Sequence, residues 1–324
     1  MTLVSIVIPT KNSAQTLKEC LTSLRSQTLS DHEVIIVDGD SRDDTVGIAN
    51  TFHAIVTKET SEVEKSRGKR ALARNSGVKI ASGSIIVFTD SDCTFDSNWL
   101  ESIVGLLRSG WDIVGGPDLP FSSDPPMGKA VALVESLMRR KTKNGIEAAY
   151  VIKNCNMACF RGVFDDLGGF EEAEELDFLI RAVSNGLRVR FDPGLPVLHH
   201  RRGTFLSTLK QGWEASLTTN LGKTRAMSEA KYWYPKKDAF LACGFILGLS
   251  ALMGSFVLGA FTTVVLVLII LLLAGNAAYY LYLRRSLGKR DSMWLAPIFV
   301  TASSMLRAVA ITVGWVSRKL KVTS

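Results

Sequence analysis

Five cysteines in 324 residues, at positions 20, 93, 155, 159 and 243, show no spacing that would build a disulfide framework. No second Cys or His pair stands beside Cys155 and Cys159 at zinc-ligand spacing, so the sequence offers no metal site there. The thiols read as buried residues in a reducing compartment. The opening MTLVSIVIPTKN has no basic start, too short an apolar run and no cleavage site. That excludes a signal peptide and leaves the first part of the chain expected in the cytoplasm. There is no G-x-x-x-x-G-K and no G-x-G-x-x-G, so neither a P-loop nor a dinucleotide-binding turn is supported. Internal repeats and low-complexity tracts are also missing. A net charge of +7 comes without any nucleic-acid recognition motif, and no nucleic-acid partner is expected.

Charge itself runs out after Asp238. The chain is 47% hydrophobic and 21% charged, with mean hydropathy +0.18, too apolar for an ordinary soluble protein, and the excess is concentrated at this end. Residues 1–237 read as a globular domain and 238–324 as a membrane domain, with apolar helices near 239–259, 261–283 and 294–316. Each approaches the ~20 residues that cross a bilayer. Basic residues at Lys236, Lys237, Arg284, Arg285, Lys289, Arg290, Arg318, Lys319 and Lys321 flank them, as residues that set topology and meet anionic headgroups do. Arg307 near the middle of the third segment would cost about 2.5–3.5 kcal/mol on insertion scales. Two crossings plus an interfacial helix, and three crossings, both stand. Either way the expectation is a multi-pass protein of the cell membrane whose globular domain is cytoplasmic.

Within the globular part, strand and helix signals alternate. VSIVI (4–8), EVIIV (33–37), AIVT (54–57) and SIIVF (84–88) read as strands; 14–29, 45–53 and 67–81 read as helices. Continuous apolar strands separated by helices predict an α/β fold, Rossmann-like, with a mostly parallel central sheet covered on both faces. Such sheets bind ligands beyond the carboxyl ends of their strands. Three polar clusters fall at that edge: Pro9-Thr10-Lys11-Asn12, Asp38-Gly39-Asp40-Ser41 and Asp90-Ser91-Asp92. The Pro- and Gly-rich GGPDLPFSSDPPMG (115–128) reads as a loop dividing a nucleotide half, 1–114, from an acceptor half, 115–237.

The residue types suggest chemistry. Asp90 and Asp92, two apart off the end of a buried strand, can both reach one hard divalent cation, or they are solvated acids of a turn. Asp38 and Asp40 can accept hydrogen bonds from ribose hydroxyls or a base N–H, or an acid of this run caps the next helix. Arg67, Lys69, Arg70 and Arg74 open a helix with charge that could neutralise a diphosphate, or they line a solvated face.

Five stretches, in order over residues 3–205, carry a resemblance to the family 2 glycosyltransferases. They are SIVIPTKN, VDGDSRDDT, GKRALARNSG leading to ASGSIIVFTDSD, NCNMACFRGVFDDLGGFEE and EELDFLIR. The resemblance implies a GT-A fold, a UDP- or GDP-sugar donor, a divalent Mn²⁺ or Mg²⁺ cofactor and an inverting displacement. Residue by residue, it places Asp38, Pro9 and Thr10 at the donor base. It gives Asp90 and Asp92 to ribose, diphosphate and metal, with Asp92 the direct ligand. Glu175 falls at the general base, supported by Asp177 and Arg181, and His199 or His200 near the metal. With the polar tips and the basic helix, the donor-binding set is Pro9, Thr10, Asn12, Asp38, Asp40, Arg70, Arg74, Asp90 and Ser91. Three positions depart from the family pattern. The base is Glu where Asp is usual, so Asp177 remains an alternative. D-G-D-S replaces D-D-G-S, leaving the ribose acid open between Asp38 and Asp40. Lys210-Gln211-Gly212-Trp213 resembles only part of a processive element.

The membrane domain adds an expected partner, a polyprenyl-linked glycan or lipid acceptor at the bilayer surface. The alternatives are a polyprenyl-phosphate glycosyltransferase, a non-catalytic nucleotide-sugar-binding scaffold and, more remotely, a transporter with a regulatory domain. Two or three spans without paired repeats argue against the last.

Overall fold

The computed structural model describes residues 4–58, 69–126, 128–130, 132, 135, 139, 141–171, 174–201 and 281. The apolar segments expected beyond residue 238 lie outside this set apart from position 281, as do Arg67, Cys243 and residues 210–213. No helix among the described residues is long and apolar enough to cross a membrane.

The strands form where the sequence is most continuously apolar. β1 (Val4–Thr10), β2 (His32–Asp38), β3 (Ile55–Lys58) and β4 (Ile85–Phe88) lie parallel, in the order β3-β2-β1-β4. Parallel strands need crossovers, and these are α1 (Ala14–Arg25), α2 (Thr45–Thr51) and α3 (Lys69–Ile80). α1 buries Leu17, Cys20, Leu21 and Leu24, the i, i+3, i+4, i+7 stripe of one helix face. It stops at Arg25, short of the expected Leu29. Gln27 turns inward there, its amide donating to the carbonyls of Ser23 and Asp96 and accepting from the Leu100 N–H. The residues that would continue α1 instead brace the start of α4 (Trp99–Arg108).

Beyond β4 the sheet becomes mixed. β9 (Met157–Phe160) runs antiparallel between β4 and β6 (Ile113–Gly115), followed by β10 (Val189–Phe191) and β8 (Lys143–Asn144). A small second sheet has β11 (Val197–His199) between β5 (Cys93–Phe95) and β7 (Asp118–Leu119). β7 lies inside 115–128, which the sequence presents as loop. Its pairing is made by tertiary neighbours and leaves no periodicity to read. Cys155 and Cys159, whose spacing allowed a shared helical face, occupy a 3₁₀ turn (Asn154–Asn156) and β9.

Strand alternation divides the core between the two faces of the main sheet. Ile6, Ile8, Ile36 and Val87 pack with α1 and α4 on one face. Val7, Ile35, Val37 and Phe88 pack on the other with α3 and the helices Arg161–Asp166 and Glu174–Ser184. Phe88, Phe164, Phe170 and Phe178 form an aromatic cluster there, with ring centroids 4.8–5.4 Å apart. Each fully buried ring contributes about 1.5–3 kcal/mol of burial free energy.

The described residues up to Phe121 and from Arg139 to His200 belong to one compact unit. Those between Ser122 and Glu135, with Arg201, belong to a second, in which Arg201 pairs with Glu135 at 3.0 Å and its N–H donates to Asp124.

Candidate active site

Parallel register brings the three polar tips together. Thr10 ends β1 opposite Asp38 of β2, and β4 leads into Asp90 on the other side of β1. Asp38 is buried at its strand tip, where both carboxylate oxygens accept from Ser41, one from its hydroxyl and one from its N–H. Asp40 is exposed and takes the left-handed conformation, φ 64°. The two acids left open by the D-G-D-S order therefore differ: Asp38 faces the strand edge and Asp40 forms the bend. Helix capping falls to a third acid, Asp43, which accepts from the N–H groups of Ala14 and Thr45, the first residues of α1 and α2. Asn12 ties the same loops, donating its N–H to Ser41 and accepting from the N–H of Arg42. Pro9 is half-buried, and Ser91 donates to the Ser13 hydroxyl. The Thr10 hydroxyl is buried without a hydrogen-bond partner among the described residues, as expected of a group that awaits a ligand.

The arginines separate in the same way. Arg74 is 2% exposed and its guanidinium donates to Asp90 at 2.7 Å. One partner of Arg74 is thus a carboxylate of the chain itself. Arg70 is exposed at the first turn of α3.

Asp92 lies beside His199, with Oδ1 3.2 Å from Nε2. His200 points elsewhere. It stacks on Phe121 at 3.8 Å between centroids and approaches Glu19 at 3.8 Å. Strand alternation along β11 decides between the two histidines. On the other side of the ring, Nδ1 of His199 is 3.5 Å from Asp118 Oδ2. Asp118 is itself buried between Arg139 and Lys153. Burial alone would depress the His199 pKa; the hydrogen bonds to Asp118 and Asp92 outweigh it and hold the imidazole protonated well above its ordinary value.

Asp90, Asp92 and His199 each offer one ligand atom, all within 4.8 Å of one another. Two carboxylates and an imidazole suit a divalent cation of the Mn²⁺ type, and a carboxylate behind the imidazole is a common outer-shell support. The residues present therefore fit the implied cofactor. A bound cation must displace the proton of His199.

Glu175 is half-buried near the start of its helix and accepts from the Asn154 amide at 2.8 Å. The sulfur of the next residue, Cys155, lies within 4.8 Å of a ring nitrogen of His199, so the 3₁₀ turn that holds Asn154 beside Glu175 also borders the metal-type cluster. Asp177 is fully buried. Its Oδ2 accepts from Arg181 Nε at 2.7 Å, and Arg181 also donates to the carbonyls of Leu167 and Gly169. Asp177 thus anchors the helix, and Glu175 is the acid left facing outward.

A profile described as Glycosyl transferase family 2 matches residues 5–168, half of the chain. The chain belongs to glycosyl transferase family 2. "Glycosyltransferase AglE" of Haloferax volcanii is 34% identical over 170 residues, 52% of this chain and 55% of that one. "Pre-mycofactocin glycosyltransferase" of Mycobacterium tuberculosis is 29% identical over 213 residues, 61% and 43% of the two chains. This chain therefore spans about half the length of the curated relatives it matches. In fold it is similar to the mannosyltransferase PcManGT of Pyrobaculum calidifontis, solved with GDP-Man and Mn²⁺. The TM-score is 0.55 at 18% identity, over 96% of this chain and 86% of that one.

Three parts of this family 2 site escape a reading of motifs: Asp118, Asn154 and Arg139. Asp118 stands in a stretch whose Pro and Gly content reads as loop. Asn154 opens the quoted stretch NCNMACF, which marks no role for it, Arg139 has no spacing to a partner, and only the fold brings Asn154 to Glu175 and Arg139 to Asp118.

Proposed function

We propose that this chain is an inverting glycosyltransferase of the cell membrane. It moves a sugar from a UDP- or GDP-sugar to a membrane-associated acceptor, a polyprenyl-linked glycan or lipid, in polysaccharide or glycoconjugate assembly. The carrying observation is the grouping of Asp90, Asp92 and His199 at the carboxyl edge of the sheet, next to the buried tips Thr10 and Asp38. The apolar segments of the sequence support the membrane acceptor and the membrane location.

In this reading Asp38 accepts from the donor base or ribose, and the Thr10 hydroxyl gains the partner it lacks. Asp92 and His199 hold the cation; Arg74 fixes Asp90 beside them. Mn²⁺ suits the set better than Mg²⁺, because one ligand is nitrogen. When bound, the cation offsets the charge that develops on the departing diphosphate. Glu175, oriented by Asn154, takes the proton of the acceptor hydroxyl as it attacks the anomeric carbon.

The test is turnover by full-length, detergent-solubilised protein with Mn²⁺, a panel of UDP- and GDP-sugars and membrane lipid extract. Release of nucleoside diphosphate together with labelled lipid is expected. Tight nucleotide binding without turnover from any donor would make the chain a binding scaffold. Glu175→Gln is expected to lower kcat by about 10²–10⁴-fold, the usual worth of a general base, with donor binding retained. Full activity in that variant removes Glu175 as base and favours an acceptor that is already anionic, such as a polyprenyl phosphate. Asp92→Ala is expected to lose metal-dependent donor binding.

A further inference from the structure

The sequence offers no partner pair for its cysteines, yet the fold assembles one. Cys93 opens β5, directly after Asp90-Ser91-Asp92, and pairs in antiparallel register with His199 of β11. Residues opposed in this way project to the same side of the sheet. Cys155 arrives from the 3₁₀ turn, fixed by the Thr89 hydroxyl, which donates to its carbonyl at 2.9 Å. The two sulfurs and one imidazole nitrogen lie within 4.8 Å of one another. Both thiols are reduced and buried.

We infer that Cys93, Cys155 and His199 form a soft-metal site that takes Zn²⁺ and, by drawing on the His199 imidazole, antagonises the hard-cation site made with Asp90 and Asp92. Two thiolates and an imidazole are a zinc donor set, with Zn–S about 2.3 Å and Zn–N about 2.0–2.1 Å, which requires ligand atoms about 3.5–3.8 Å apart. A modest contraction of the cluster reaches that spacing. On binding, each thiol and the His199 imidazolium release one proton to solvent, three in all, so the dication, two thiolates and a neutral imidazole sum to zero charge. A neutral complex suits a buried position where neither an isolated cation nor an isolated thiolate does. Mn²⁺ and Mg²⁺ prefer the carboxylates, so the two sets sort ions by softness while sharing one histidine. Both sets call on the one imidazole of His199, so occupancy of either withdraws a ligand from the other. Zn²⁺ is therefore an inhibitor that rising Mn²⁺ relieves. That inhibitory consequence rests on the function proposed above; the binding of zinc does not.

Cobalt provides the test, because Co²⁺ takes zinc sites and thiolate ligation gives it a charge-transfer band in the near ultraviolet. Full-length protein in detergent, kept reduced with a phosphine, is titrated with Co²⁺ and then with Zn²⁺. The expected result is a thiolate band that Zn²⁺ abolishes, lost in Cys93→Ser and in Cys155→Ser and kept in Cys20→Ser and Cys243→Ser. With Mn²⁺ present, Cys93→Ser should retain turnover, and both variants should need at least tenfold more Zn²⁺ for half-inhibition of the turnover each shows. Absence of the band in the unmodified protein overturns the site, whatever the folding of the variants. So does a band of full strength in both variants, which places cobalt on other thiols. Unchanged zinc inhibition in the variants overturns the antagonism. A band in a protein that transfers no sugar leaves the site standing and removes the proposed function.

Discussion

His199 lies between Asp92 and Asp118, and the two carboxylates do different work. Asp92 shares the ring's open side with any bound cation, whereas buried Asp118 sets the orientation of the ring from Nδ1. Loss of such an outer-shell carboxylate typically costs about 10–100-fold in metal affinity. Asp118→Asn is therefore expected to raise the Mn²⁺ needed for half-maximal turnover by that factor, with kcat recovered at saturating Mn²⁺. It also removes a buried counter-charge of Arg139, at a cost of about 3–5 kcal/mol in stability. Turnover must accordingly be referred to the folded fraction, read by thermal unfolding. An unchanged Mn²⁺ requirement removes Asp118 from the site. At this scale the sequence reveals residues attached to a strong local signal. Asp90 and Asp92 terminate an apolar strand, and Asp38 does the same, so their place at the sheet edge is readable. Asp118 pairs with His199 across 81 positions, and nothing local to either marks the other. The choice of His199 over His200 turns on strand parity along β11, a three-residue strand too short to announce itself.

Elements, too, are held by single side chains at points where the backbone changes partner. Glu33 of β2 accepts from the Ser5 hydroxyl of β1 and from the N–H and hydroxyl of Ser82, in the turn that leads to β4. One carboxylate thus stitches three segments at the amino end of the parallel strands, opposite the site. Burial pushes its pKa up, but these hydrogen bonds outweigh it, and the net shift is downward. A folded pKa below the unfolded one gives stability that is present above the unfolded value, about 4.3, and is lost as pH falls through the folded value. Glu33→Gln should cost about 1.5–3 kcal/mol near neutrality, the range for hydrogen bonds to a charged group. The gap to the unmodified protein should close on acidification below about pH 4. Thermal unfolding of both proteins across pH reads it, and a constant gap would show that charge is not what Glu33 contributes. The elements themselves were the most legible part, because β1–β4 are apolar runs long enough to force burial on both faces. β7 and β8 were not, since two-residue strands are made by their neighbours.

Across the whole molecule, strand order explains why one edge gathers the chemistry. The chain leaves β1 for β2 and β3 on one side and returns to β4 on the other. Between β1 and β4 the direction of winding reverses, the point at which open α/β sheets bind their ligands. Thr10 and Asp38 line one side of that point, and Asp90 and Asp92 begin the other. The later strands then carry the chain back, so that the 3₁₀ turn and the helix Glu174–Ser184 supply Asn154 and Glu175 from the far part of the same sheet. The strand-tip residues Thr10, Asp38, Asp90 and Asp92 and the helix residue Glu175 thus come from different stretches of chain within one unit. An acid that approaches the sugar from the side away from the diphosphate permits a single displacement, and a single displacement inverts the anomeric centre. A UDP- or GDP-sugar with an α-linked donor is therefore expected to give a β-linked product, read from the anomeric coupling constant in the NMR spectrum of the isolated lipid product. Retention of the α configuration would require a second nucleophile on the donor side. It would remove Glu175 from the role of base even if Glu175→Gln proved inactive.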